Sequence, residues 1–318
     1  MQKHFFALLS LIILFFGCKE EDKTEKEIAK LEVNVSISRF DKEFSEANPN
    51  DLPELRAKYP YLFPAPDSVW VKKIQDTIQQ ELMQEVSSEF SDFNQETLQL
   101  RDFYKHVKYY FPKYKVPHII TVTNDVDYNN RIILADSLLF IGLDNYLGQN
   151  HRFYSNIQRY ISQGMDRKYI VSNIASAFAN KAVPKPRDRT FLAQIIYYGK
   201  ELYLKNKLLP NAPDAIKIGF TEEQFNWAVV NEEPIWRNFV EQEYLYSTNN
   251  NLRKRFLDPA PFSKFGLELD KESPGRIGRY IGWQIVKSFM EKNDLSLVQL
   301  MPISAEEIFK KSNYKPKK

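Results

Sequence analysis

One cysteine, Cys18, is present in 318 residues, so no disulfide can form within the chain and stability must come from a packed core. The material for a core is there. Eighteen Tyr, 23 Phe and four Trp bring the aromatic fraction to 14%, which rules against disorder. Glycine is scarce, with 10 in the whole chain, where roughly 7% is usual; that points to helices and filled packing. Cys18 itself follows an apolar run, Phe5 to Phe16, and one glycine, Gly17. The run is too short for a bilayer-spanning helix, which needs about 18 residues. Its length suits the apolar stretch of a secretory signal, with Lys3 as the positive start.

A cysteine at that boundary, with a small residue before it and charge after it, resembles a bacterial lipobox, although Phe15 and Phe16 stand where leucine and a small residue are usual. The resemblance implies that residues 1–17 are removed and that Cys18 becomes a lipid-bearing N-terminus, so the chain meets a membrane through lipid. The alternative is a plain secretory signal cut elsewhere, leaving a free thiol. Without Lys3, 43 basic residues face 41 acidic ones, a net charge of +2. So small an excess gives no reason to expect nucleic acid as a partner. Lys19 with Glu20 and Glu21 resembles a surface-export signal of some Bacteroidota lipoproteins, and no aspartate follows Cys18 to suggest inner-membrane retention. Both favour the outer membrane over the inner.

Residues 19–30 carry nine charges in twelve positions and read as a solvated, lipid-anchored tether spanning 18–30, with a reach of at most ~40 Å. The folded part, 31–318, reads as one domain. Leu31, Val33, Val35 and Ile37 alternate with polar residues as in a half-buried strand. Helices are predicted over 52–63, 69–90 and 95–111, the last with Leu98, Phe103, Val107, Tyr110 and Phe111 near one face. His118–Thr123, Arg131–Ala135 and Leu138–Ile141 read as strands of an antiparallel meander, with a turn-rich stretch at 124–130. Helical periodicity then returns over 166–181, 188–206, 222–246, 275–293 and 305–312, with a capping box at Thr221. The fold class is α+β: mostly helical, with a small, mainly antiparallel sheet.

The easily read catalytic forms are missing. His106, His118 and His151 are never four apart, H-E-x-x-H is absent, and no second cysteine exists for a Cys/His site. The nucleophile elbow, the Walker loop and the G-x-G-x-x-G turn are absent too. No residue is nominated as catalytic or as a metal ligand, and no cofactor is expected.

Two segments stand out as candidate binding sites. In Ile141–Gly148, Asp144 is placed to cap a short helix, with Tyr146 beside it; a tight turn and a ligand contact both fit. In Ser273–Trp283, three glycines fall at 275, 278 and 282. Each costs a helix roughly 1 kcal/mol, so something must offset them. Either a neighbouring backbone packs against the bare face, or a helix N-terminus presents Arg276 and Arg279 to a cleft that holds an anion or carboxylate, with Tyr280 and Trp283 completing the wall. The aromatic stretch Phe225, Trp227, Trp236, Phe239, Tyr244, Tyr246 reads as core, or else as a surface on which a glycan stacks.

The lipobox start, Ser38–Asp41, Tyr59–Pro64, the strand running into Ile141–Gly148 and the Pro274–Trp283 block together resemble the gliding motility lipoprotein GldB family of Bacteroidota. The resemblance covers essentially the whole chain. It implies an envelope-anchored protein that supports gliding motility and the protein secretion tied to it, with an envelope protein as partner, and it implies no reaction. A weaker similarity is to zincin-type proteases. There the helix bearing H-E-x-x-H would be Tyr169–Asn180, which has no histidine or acid, and Tyr198–Leu202 echoes the later glutamate segment. If the similarity holds, the fold is a zincin relic without its metal site. The expectation is therefore a non-catalytic lipoprotein that binds an envelope component. A hydrolase or metal-free protease relative with a retained cleft, and a peptide- or glycan-binding module, are the alternatives.

Overall fold

The computed structural model describes residues 23–316; Cys18 and the leader lie outside them. The chain opens with α1 (Lys23–Ala29), β1 (Ile37–Arg39), α2 (Phe40–Ser45) and α3 (Leu52–Lys58). α4 (Asp67–Gln75), α5 (Thr77–Glu89) and α6 (Asn94–Tyr110) follow. β2 (His118–Val122), β3 (Ile132–Leu134) and β4 (Leu138–Gly142) complete the sheet. The rest is helical: α7 (Arg159–Ser162), α8 (Ile170–Ala182), α9 (Phe191–Leu208), α10 (Asp214–Ile218), α11 (Glu222–Val230), α12 (Glu232–Glu241), α13 (Asn250–Phe256), α14 (Ile277–Lys292), α15 (Leu297–Leu300) and α16 (Ala305–Ser312).

The class is α+β, but the sheet is mixed and not a meander. Its order is β1-β2-β4-β3; β1–β2 and β2–β4 are parallel, and only β3–β4 is antiparallel. The reason lies just beyond the strands. β2 and β4 end side by side, with Val122 opposite Gly142. Two residues on, the Asp144 carboxylate accepts from the backbone N–H of Asn124 at 3.1 Å and of Val126 at 2.7 Å. That tie carries the chain leaving β2 across the end of β4, so β3 forms on the outer edge.

β2 is buried on both faces. Ile119 belongs to the main core beneath the helices, and Ile120 to a second core of Phe40, Phe44, Leu52, Leu55, Tyr59, Phe63, Ile74 and Met83. The Ser38–Asp41 segment locks this side. Arg39 forks onto Asp41 at 2.9 and 2.7 Å and reaches the Phe90 carbonyl at 2.9 Å, while Thr121 donates to Asp41. Tyr59 and Phe63 meet the Phe40 ring edge-on at 5.0 and 5.7 Å.

Several predicted elements differ. The tether packs from Lys23 onward: α1 buries Ile28, Lys105 donates to the Ala29 carbonyl at 2.9 Å, and Tyr109 donates to Glu27 at 3.2 Å. One apolar residue and a partner helix outweigh the dense charge. The alternation at 31–37 survives as half-burial, but ladder pairing is confined to Ile37–Arg39. The predicted helix over 69–90 breaks at Asp76, whose side chain caps α5 through Gln79 N–H at 2.9 Å. That over 222–246 breaks at Asn231, just before Pro234, which has no N–H to continue the ladder. Leu98 faces solvent; the buried face of α6 is Leu100, Phe103, Tyr104 and Val107.

The most extensive helix contact among the described residues pairs α9 with α14. A Cβ on Gly282 would lie 1.8 Å from the Ile195 carbonyl, and one on Gly199 would lie 2.2 Å from the Gly282 carbonyl. The two backbones touch, and only glycine permits it.

Candidate functional site

A cleft of about 510 Å³ opens where β3, α8 and the start of α14 converge. Tyr128, Arg131 and Ile132 form one wall and Tyr160 and Gln163 another, with Arg276 at the inner end. Behind it lies a smaller cavity of about 110 Å³, lined by Ser172 and Ser176 of α8, Glu201 and Lys205 of α9, and Arg276 and Arg279. Asn173, Gly219 and Arg276 belong to both spaces.

Arg276 is set by the turn that starts α14. It adopts the left-handed conformation, φ 65° and ψ 23°, as N-cap; for a non-glycine residue that costs roughly 1 kcal/mol or more. The surroundings hold it there. Ser263 Oγ donates to the Pro274 carbonyl at 2.7 Å and accepts from Ile277 N–H at 3.2 Å. A Cβ on Gly275 would sit 2.1 Å from the Ala260 carbonyl, so the segment leading into the turn is pinned as well.

The cations around the cavity have few partners. Arg276 Nη2 donates to the Gly219 carbonyl at 2.8 Å, Arg279 Nε donates to the Leu257 carbonyl at 2.7 Å, and Lys205 Nζ donates to Ser176 Oγ at 2.8 Å. Arg279 also lies 4.0 Å from the Tyr198 ring centre. Burial, and after it Arg276, lowers the Lys205 ammonium to about 7. Burial, then Arg279 and Arg131, presses Arg276 the same way, but a guanidinium keeps its proton. Burial raises the Glu201 carboxyl against the pull of Tyr197, Arg279 and Asn180.

The Lys205 shift has a consequence for stability. The unfolded chain holds that proton to about pH 10.4, whereas the folded chain releases it near 7. Between these values the unfolded state binds more protons, so stability rises with pH, by on the order of 4 kcal/mol at most. The groups facing Lys205 are Arg276 and Arg279 from α14, Arg131 beside β3, Ser176 from α8 and Glu201 from its own helix. Lys205→Met is expected to flatten that rise in urea unfolding at pH 7 and pH 10; an unchanged difference between the two would refute it.

The other sequence candidates lie elsewhere. Asp144 does not cap the helix after β4; Gly142 holds that position, and Asp144 is the buried tie to Asn124 and Val126, its carboxyl raised by burial to about 6. Tyr146 is fully buried and accepts from Asn173 at 3.1 Å, so it positions a residue shared by both spaces. Tyr280 and Trp283 do not wall the cleft. Both are core, with Tyr280 donating to Glu232 at 2.8 Å. The three glycines of this block serve close packing: Gly278 meets Leu257, Gly275 meets Ala260 and Gly282 meets Ile195. The aromatic stretch is likewise mostly packed inward, although Tyr246 is exposed.

Sequence reasoning missed Lys205. The available signal was its setting, a lysine within α9, which buries apolar residues around most of its circumference. Facing the smaller cavity, α8 contributes Asn173 and Ser176, and α9 contributes Glu201 and Lys205. Among the described residues no three His, Cys, Asp or Glu side chains gather as a ligand set.

No curated protein and no solved structure matches the chain. A family model described as gliding motility protein GldB matches residues 21–316, nearly the whole length, and the chain belongs to that family of gliding motility lipoproteins.

Proposed function

We propose that this protein is a non-catalytic part of the gliding machinery and its associated secretion, held by lipid on Cys18 at the outer membrane, and that it works by binding another envelope protein in the cleft that ends on Arg276. The observation that supports this most is the cleft itself. It has room for a segment of another chain, one wall is an edge strand, and its inner end is a fixed cation. The side chains that line it suit recognition: tyrosines, glutamines and a guanidinium.

The test is crosslinking in gliding cells. Full-length protein should crosslink to an envelope protein, and Tyr128→Ala with Tyr160→Ala at the cleft walls should lose both that crosslink and gliding. Retention of both in the double variant would overturn the reading.

One observation favours a hydrolase instead. Lys205 Nζ lies 2.8 Å from Ser176 Oγ, and a desolvated lysine beside a serine hydroxyl is a base–nucleophile arrangement. In the structure that hydroxyl also bonds the Ser172 carbonyl at 3.1 Å, as helical serines do. Peptide or ester cleavage by the mature protein that vanishes in Ser176→Ala would establish this reading and end the non-catalytic one.

A further inference from the structure

We infer that the smaller cavity adjoining the cleft is a carboxylate site, and that its occupant is the C-terminal end of an extended peptide segment lying in the cleft. This rests on the proposed binding role and adds which part of the partner is recognised.

Charge is the first argument. Lys205, Arg276 and Arg279 converge from two helices on about 110 Å³, and Glu201 is the one acid lining it. The fourth cation, Lys217, is engaged by Asn206 at 2.7 Å and Asp214 at 3.0 Å. Among the described residues none of the other three has a carboxylate within 4.0 Å. Lys205 is only 4% exposed. A buried cation without a counter-ion is costly, and an arriving oxyanion would relieve Lys205 while also meeting the half-buried Arg276 and Arg279.

Donor supply is the second. Each of the three makes a single hydrogen bond to protein, although an ammonium has three N–H groups and a guanidinium five. The spare donors of Arg276 can form the two-point grip that planar carboxylates take.

The chain attached to that carboxylate has a place to lie as well. In the β3–β4 pair, Gly142 N–H bonds the Arg131 carbonyl at 2.9 Å and Ala135 N–H bonds the Leu138 carbonyl at 2.8 Å. Antiparallel alternation then turns the backbone groups of Ile132 and Leu134 away from β4, on the free edge of the sheet. Ile132 lines the cleft. An extended peptide can pair there, with Arg276 and Asn173 marking the passage to the cavity.

The experiment titrates full mature protein with acetyl-trialanine as free acid, with its C-terminal amide, with acetate and with inorganic phosphate, followed by NMR and thermal shift. The free acid should bind more tightly than the amide by at least roughly tenfold, and more tightly than acetate. Lys205→Met and Arg276→Gln, each checked for a native melting transition, should bring the acid down to the amide. Lys205→Gln serves if the methionine variant fails to fold. Equal binding of acid and amide, or acid binding unchanged in the folded variants, overturns the inference. So does inorganic phosphate binding more tightly than the tripeptide acid. The wall variants separate the two proposals: if Tyr128→Ala with Tyr160→Ala still abolishes the crosslink, failure here leaves the cleft reading standing.

Discussion

Gly282→Ala is expected to destabilise the protein by about 3 kcal/mol, the upper part of the range for forcing extra volume into a packed contact. The melting temperature should fall by about 6–10 °C. The sign is the informative part. In an ordinary helix interior, alanine for glycine gains about 1 kcal/mol. Here the added Cβ would lie 1.8 Å from the Ile195 carbonyl, and what it strikes is backbone, which cannot rotate aside. α9 and α14 would have to separate along the most extensive helix contact among the described residues. That separation would also reach the cavity, since Lys205 rides on α9, and Arg276 and Arg279 belong to the start of α14. Differential scanning calorimetry of the purified variant checks this; an unchanged or raised melting temperature would show that the helices can part at little cost.

What could be read in the sequence was local. The Thr221 box forms as predicted, with Gln224 N–H donating to Thr221 Oγ1 and the Gln224 side chain accepting from Thr221 N–H, both at 3.1 Å. α16 has its predicted limits, because Ser304 caps its start and Asn313 takes the left-handed conformation at its end. The glycines at 275, 278 and 282 signalled a close approach but not by what. Gly199, eighty-three residues earlier, carries no mark that it faces Gly282.

Strand order was hidden for the same reason. β2, β3 and β4 are consecutive in sequence with a turn-rich link, which favours a meander. The tie that prevents one joins Asp144 to a loop twenty residues back. The candidate site was half legible. Arg276 and Arg279 stand in a segment marked by its glycines, whereas Lys205 shows only as one charge in an apolar helix, and its relation to them exists only once α9 and α14 cross. Asp144 and Tyr146 illustrate the converse, since these conspicuous residues just after a strand serve the framework, one tying the strand end to Asn124 and Val126 and the other holding Asn173.

Cys18→Ala is expected to move the protein from the membrane pellet to the soluble fraction almost completely, with gliding lost alongside. Each buried CH₂ of an acyl chain contributes about 0.8 kcal/mol, and a net charge of +2 on the remaining chain offers nothing comparable. Fractionation of cells followed by immunoblotting checks it, and an undiminished membrane fraction would mean that something other than lipid on Cys18 holds the protein. The structure sharpens what that anchor would do. With residues 19–30 as a free tether the body could stand ~40 Å from the lipid. With α1 docked on α6 through Ile28 from Lys23 onward, four of those twelve residues remain, a reach of at most ~13 Å. With lipid on Cys18 the folded body would be held against its membrane, and a partner of the proposed kind would have to reach the cleft there.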